Sequence, residues 1–142
     1  MKTLFISLLM LSISSIVSAQ GTKISGVEFK PEYDMKGKPL FLNGCGLREK
    51  YTLDLYVAGL YLTKPTMDAN KVINADTTQM INIVIVSSKV TRDKFNESVK
   101  EGFANAAPYQ ATQDQIKSFK SFFSDPFKVN DEIIMVYKKG KG

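Results

Sequence analysis

The stretch from Phe41 to Thr63, FLNGCGLREKYTLDLYVAGLYLT, decides the fold of this chain. Gly44 and Gly46 can take positive φ or let another group come close, so they predict a turn. Arg48 follows this turn and lies at the start of a strand. Gly59 interrupts the apolar run that follows, where a bulge or a close approach is expected. We interpret the stretch as a turn, a strand, a kink and a second strand.

Apolar and polar side chains alternate from Tyr51 to Val57, the period of a half-buried strand. Leu53, Leu55 and Val57 share one face, and Tyr56 lies on the other. Extending the same alternation backwards places Arg48 on the more polar face with Tyr56. The two residues are therefore candidates for one site.

The first 19 residues have the pattern of a secretory signal peptide. Lys2 precedes an apolar core from Leu4 to Val17, and small residues stand just before Gln20. No later stretch approaches the roughly 20 apolar residues that a spanning helix needs. We expect a signal peptide over 1–19, an exported domain over 20–142 that is periplasmic or secreted, and no integral membrane segment after signal removal.

Further strands and a short helix are expected around this stretch. Ile24 to Phe29 predicts a strand that pairs with Leu40 to Leu42 across the turn Lys36 to Pro39, and a short helix is expected from Asp68 to Val72. Met80 to Val86, MINIVIV, is nearly continuous and β-branched, which favours the middle of a sheet. Ile133 to Tyr137, IIMVY, predicts another buried strand.

Two amphipathic helices are expected between the last two strands. Thr91 is the predicted N-cap of the first, whose stripe Phe95, Val99, Phe103 and Ala107 ends at Pro108. Thr112 with Gln115 has capping-box spacing and starts the second, which buries Ile116, Phe119, Phe122 and Phe123. The order predicts an α+β domain in which a mostly antiparallel sheet carries helices on one face.

The last strand has no sequence-adjacent partner. Gly140 and Gly142 are typical of a hairpin turn that leads into a further, pairing strand. We therefore expect the domain to be truncated at its C-terminus.

Composition excludes several classes of chemistry. The chain has no histidine and one cysteine, so Ser-His-Asp and Cys-His triads, the common zinc sites and an internal disulfide are unavailable. Cys45 has neither a histidine nor a helix N-terminus nearby that would activate a thiol, and we interpret it as a small packing residue rather than a reactive thiol. The net charge of +5 owes much to Lys138, Lys139 and Lys141, a solvated tail rather than a stripe that binds nucleic acid. No metal, cofactor or nucleic acid is expected.

Arg48 allows two interpretations from pattern alone. It is either an exposed residue on the solvent side of a strand, or a fixed cation at the mouth of a cavity, where its planar fork would meet a carboxylate or enolate oxygen.

The run LNGCGLREKYTLDLYVAGLYL resembles the signature of the chalcone isomerase superfamily, particularly its bacterial, exported chalcone isomerase-like branch. A G-x-G-x-R turn leads there into a strand ending near G-x-Y-L, matched by Gly44, Gly46, Arg48, Gly59, Tyr61 and Leu62. The order of the remaining elements from about Ile24 onward is also similar. The resemblance implies an open-faced sandwich with an apolar cleft between sheet and helices.

In true isomerases a phenolate attacks an enone, and an arginine at the position of Arg48 stabilises the developing negative charge. The resemblance places their threonine at Tyr56, their tyrosine at Val90 or Thr91, and their asparagine at Ser98. Arg48 alone keeps the isomerase residue. Other branches bind fatty acids in the cleft with the arginine facing the carboxylate, so the resemblance implies Arg48, Tyr56, Thr91 and Ser98 as ligand-binding residues.

Three functions follow as hypotheses. The favoured one is non-catalytic binding of a fatty acid or similar apolar carboxylate. The second is an intramolecular lyase acting on a chalcone-like or other enone substrate, with Arg48 as the catalytic residue. The third is a cell-envelope interaction domain with a filled core and no cleft.

Overall fold

A five-stranded antiparallel sheet organises the chain, and the computed structural model describes residues 21–106 and 111–140. A small antiparallel hairpin precedes the sheet, and three helices accompany it. The strands are β1 (Thr22–Ile24), β2 (Val27–Phe29), β3 (Glu32–Asp34), β4 (Pro39–Lys50), β5 (Leu53–Leu62), β6 (Gln79–Ile85) and β7 (Glu132–Tyr137). The helices are α1 (Ala69–Ile73), α2 (Arg92–Asn105) and α3 (Gln113–Ser121). The order in the sheet is β3-β4-β5-β6-β7. This confirms the predicted α+β architecture.

The stretch that was expected to begin with a turn forms a long hairpin instead. Gly44 and Gly46 lie inside β4 without positive φ, and a Cβ added to either would meet open space. The reversal comes at Tyr51 and Thr52, whose φ angles are 51° and 67°. Such turns normally use asparagine and glycine, because other residues are strained at positive φ. The turn predicted at the two glycines is therefore wrong.

Two register shifts bend this hairpin. Asn43 is an extra residue on β4, between the pairs Leu42↔Tyr61 and Gly44↔Leu60. Leu55 is an extra residue on β5, between Arg48↔Tyr56 and Glu49↔Asp54. The ladder is regular at Gly59, so the bulge expected there is wrong.

Gly59 does meet the second expectation, a close approach. Its Cα faces the ring of Phe29, and an added Cβ would lie 2.7 Å from Phe29 Cδ1. The β1–β2 hairpin thereby packs on one face of the sheet. Its cluster contains Phe29, Leu40, Val57, Tyr61, Met80 and Val84, all buried. The predicted strand from Ile24 to Phe29 is thus a separate hairpin, and β3 takes the place beside β4.

Helices α2 and α3 belong to the opposite face. The second cluster joins Val90 and Phe95 to Ile83, Ile85 and Ile133 of the sheet, with Phe123 and Phe127 packed around it. The caps are as predicted, since Thr91 accepts a hydrogen bond from the Lys94 N–H, and Thr112 and Gln115 form a reciprocal capping box. Ala107 and Pro108, expected to end α2, lie outside the described residues, as do the signal peptide and Gly142.

Burial differs from expectation near β7. Phe122, the C-cap of α3, is 78% exposed, so the expectation that the second helix buries it is wrong. Ile134 is 44% exposed because β7 is an edge strand in the described chain. The strand itself, the central position of β6 and the short helix after Asp68 are confirmed. Among the helices of the described residues, none is long and apolar enough to cross a membrane.

Replacing Gly59 by alanine should destabilise the fold, because the new methyl group would overlap the Phe29 ring. We expect a loss of about 1–3 kcal/mol in the free energy of unfolding, typical of overpacking. Urea denaturation measures it. Gly46→Ala is the matched control on the neighbouring strand and should stay within about 0.5 kcal/mol of the parent. Equal losses in both variants would contradict this packing.

Asp76 fixes the end of β7. Its carboxylate accepts hydrogen bonds from the Gly140 N–H at 3.1 Å and the Tyr137 hydroxyl at 2.8 Å, and these lower its pKa below the ordinary 3.8. A carboxylate whose pKa is lowered in the folded state stabilises the fold at pH values above its ordinary pKa. This stabilisation is lost as the pH falls through the lowered, folded-state pKa. Asp76→Asn should therefore be less stable than the parent near neutral pH. The difference should vanish in acid, as urea denaturation across an acid series will show.

Candidate functional site

A pocket of about 320 Å³ lies between the tip of the β4–β5 hairpin and α2. The Leu55 bulge creates its floor, because two consecutive side chains, Leu55 and Tyr56, both pack against the cluster on the helix face. A regular strand would send them to opposite faces. The lining residues are Lys50, Tyr51, Leu53, Leu55, Tyr56, Lys89, Val90, Lys94, Phe95, Glu97, Ser98 and Glu101.

Helix α2 supplies the opposite wall. The Thr91 cap fixes where the helix begins, and Phe95 follows one turn later, with its backbone N–H bonded to the Thr91 carbonyl at 2.9 Å. Phe95 is held edge-to-face against Phe123 and Phe127, with ring centroids 4.9 and 5.1 Å apart. Its buried ring gives the pocket a rigid apolar side.

Three lysines line this apolar space. Lys50 comes from the hairpin, Lys89 from the loop after β6 and Lys94 from the first turn of α2. None of them forms an ion pair within the described residues, where the single salt bridge joins Arg92 to Asp93 at 3.2 Å. Glu97 and Glu101 also line the pocket, so its charges partly balance and leave a surplus of one cation. An apolar pocket with available cations suits an amphipathic anion.

Arg48 lies beside this pocket. It is the direct cross-strand partner of Tyr56, so both side chains emerge on one face, as the alternation predicted. That face is the one covered by α2, which Leu55 also shares, so the prediction that it is the more polar face is wrong. The reason differs from the expected one, since the two residues sit on neighbouring strands rather than along a single strand. The Arg48 side chain is exposed and makes no hydrogen bond or ion pair to other residues that the structure describes. It is not among the residues that line the pocket.

The other two predicted ligand-binding residues, Ser98 and Thr91, lie in different places. Ser98 lines the pocket together with Tyr56. Thr91 instead borders a depression of about 210 Å³ on the other side of the start of α2, and its hydroxyl is engaged by the Lys94 N–H. The structure therefore brings Tyr56 and Ser98 together, places Arg48 next to them and sets Thr91 apart. Their roles in ligand binding stay predictions.

A larger groove of about 690 Å³ runs between the segment after α3 and β7. Phenylalanines line one side of it, and the strand from Ile133 to Val136 lines the other. Its charged lining residues are Asp125, Asp131 and Glu132. A carboxylate ligand would meet repulsion there, so the smaller pocket with lysines is the better candidate for an acidic ligand.

Among the described residues, neither a metal-binding cluster nor the cysteine contributes to the pocket. No group of three His, Cys, Asp or Glu side chains that could hold a metal ion occurs among the described residues. Cys45 is half-buried and packs against the cluster that contains Phe29, on the sheet face away from the pocket. The arrangement can bind and orient a ligand by apolar contact and positive charge.

The comparisons with known proteins fit this geometry. A family model described as chalcone isomerase-like matches residues 21–142. The chain belongs to the chalcone isomerase-like family. A search of curated proteins finds no match. The solved structure of the Arabidopsis thaliana fatty-acid binding protein AtFAP1 shares the fold, with a TM-score of 0.60 and 21% identity over 85% of this chain and 74% of that one.

The lysines of the pocket were missed by sequence reasoning. Lys94 lies four residues before Ser98, which puts both on one face of a helix. Lys50 lies two residues after Arg48, which puts both on one face of a strand. These spacings could have identified two of the three lysines. Nothing local marks Lys89, because only the tertiary fold brings its loop to the hairpin.

Proposed function

We propose that this protein binds a fatty acid or a similar apolar carboxylate in the pocket between the β4–β5 hairpin and α2, without catalysing a reaction. The observation that carries the proposal is the combination of an apolar floor and wall with three lysines that have no ion-pair partner in the described chain. Arg48, the cross-strand neighbour of the lining residue Tyr56, adds a fourth cation beside the pocket.

Typical free energies indicate how the alkyl chain and the carboxylate of the ligand would each contribute to binding. Each buried methylene contributes about 0.8 kcal/mol, so an alkyl chain against Leu53, Leu55 and Phe95 supplies most of the binding free energy. An exposed ion pair contributes about 0.2–1 kcal/mol. The cations therefore orient the carboxylate and select acids over neutral lipids, while the alkyl chain determines affinity.

Family membership and fold also support the binding of an apolar carboxylate. The protein of similar fold named above is a fatty-acid binding protein. This chain belongs to the chalcone isomerase-like family, whose resemblance led us to expect an apolar cleft. The structure contains a pocket, which speaks against an interaction domain with a filled core. Of the residues that the family resemblance assigns to isomerisation, Arg48 alone keeps the isomerase side chain.

Titration with saturated fatty acids, followed by displacement of a fluorescent apolar dye, tests the proposal. We expect saturable binding that is stronger for the acid than for the alcohol of equal chain length. Lys94→Ala and Arg48→Ala should each weaken acid binding roughly two- to five-fold, the equivalent of about 0.5–1 kcal/mol, and leave alcohol binding unchanged. Lys100→Ala is the control, because Lys100 lies on α2 outside the pocket lining.

A variant that fills the pocket separates this site from other apolar surfaces. Ser98→Trp should abolish binding of acid and alcohol alike while the protein keeps its cooperative unfolding. Undiminished binding in Ser98→Trp would place the ligand elsewhere. Ring closure of a hydroxychalcone that disappears in Arg48→Ala would replace the binding proposal by an isomerase.

We propose further that the protein is exported and that residues 1–19 are removed. The pattern of Lys2, the apolar core and the small residues before Gln20 supports this. The intact mass and the N-terminal sequence of protein recovered from the periplasm or medium should correspond to a chain that starts at Gln20. Protein that stays in the cytoplasm at full length would contradict export.

A further inference from the structure

The tip of the β4–β5 hairpin combines exposed apolar side chains with backbone strain. Tyr51 is 85% exposed and Leu53 is 47% exposed. Tyr51 and Thr52 both have positive φ, a conformation that asparagine and glycine adopt with less strain. Tyr51 belongs to neither buried cluster of the described chain, and the Lys50 ammonium lies 5.6 Å from its ring centroid. Packing therefore does not explain an aromatic residue at this position.

Positive charge accompanies these side chains on one face of the hairpin. Arg48 and Lys50 lie two residues apart on β4, so both side chains emerge on the face of the pocket. The acidic residues of the tip, Glu49 and Asp54, are a cross-strand pair on the opposite face. Asp54 accepts a hydrogen bond there from the Ser25 hydroxyl at 2.8 Å. On its pocket face, the tip therefore carries two cations and no carboxylate.

The mouth of the pocket opens between this tip and α2. Lys89 and Lys94 line the pocket and are exposed, and so are Glu97 and Glu101. Both carboxylates belong to α2, whereas Lys89 comes from the loop after β6. The cationic side of the mouth is therefore the hairpin tip together with this loop.

We propose that the tip of the β4–β5 hairpin docks onto an anionic lipid bilayer. Tyr51 and Leu53 would enter the interface, and Arg48, Lys50 and Lys89 would face the lipid phosphates. Tyrosine is favoured at membrane interfaces, because its ring is apolar and its hydroxyl stays hydrated. Basic side chains near an anionic surface add attraction that salt weakens. Two apolar side chains and a few cations give weak, reversible binding at the surface.

The tip lies far from the outer edge of β7 in the sheet. β6 and β7 stand between β5 and that edge, and the pairs Leu62↔Gln79 and Gln79↔Tyr137 lie at the opposite end of the sheet from the turn. A further strand beside β7 would therefore be separated from the hairpin by two strands. Docking turns the mouth of the pocket towards the bilayer, so an apolar carboxylate passes directly between the two. This passage, unlike the docking itself, rests on the proposed function.

Flotation with lipid vesicles tests the docking. We expect the protein to float with vesicles of phosphatidylglycerol and phosphatidylcholine, less so at high salt, and not with phosphatidylcholine alone. Lys50→Ala should weaken binding about five-fold, the usual effect of one basic residue. Tyr51→Asn should also weaken it, although the substitution relieves strain in the turn and should stabilise the fold. Met67→Asn is the matched control, because Met67 is fully exposed beyond the other end of β5, and it should bind like the parent.

Tryptophan fluorescence locates the contact, since the chain contains no tryptophan of its own. Emission of Tyr51→Trp should shift to shorter wavelength when the anionic vesicles are added, whereas emission of Met67→Trp should stay unchanged.

Four results would overturn the proposal. They are a parent that does not float with anionic vesicles, equal flotation with neutral vesicles, parent-like binding by Tyr51→Asn, and an equal shift of both tryptophans. The vesicles contain no fatty acid, so none of these results decides whether the pocket binds one. That question is answered separately by the fatty-acid titration.

Discussion

The antiparallel ladder between β4 and β5 is the constraint on which the other features depend. It runs from Phe41↔Leu62 to Lys50↔Leu53 and holds the strained turn at Tyr51 and Thr52 in place. Many ladder hydrogen bonds together outweigh a local strain of about 1–3 kcal/mol per residue. Because the ladder sets this register, the extra residue Leu55 faces α2, and the pocket has a floor.

The two faces of the sheet serve different purposes. On one face Phe29 lies directly on Gly59, and the buried Tyr61 hydroxyl donates to the Lys30 carbonyl at 3.0 Å. Burial raises the pKa of Tyr61, which keeps this phenol neutral. The other face is covered by α2 and α3 only in part, and the pocket and the groove both lie there. One sealed face supplies stability, while the other can accommodate a ligand.

Charge divides the open face into two regions. Three lysines and two glutamates line the pocket at the hairpin end, whereas the charged residues that line the groove beside β7 are all acidic. These charges would favour a carboxylate ligand in the first region and repel it from the second. The net charge of the chain reveals neither, because it sums over both regions.

Much of the architecture is determined by the sequence alone. The caps at Thr91 and Thr112 and the strand β6 depend on residues within a few positions of one another. The Tyr51–Thr52 turn, the bulge at Leu55 and the position of Lys89 beside the hairpin were decided only by the tertiary structure. Tyr51 and Thr52 disfavour positive φ on their own, and the bulge and the loop acquire their places through pairing and packing with distant segments. Local patterns could therefore predict the sheet and Arg48, while the pocket next to Arg48 exists only after folding.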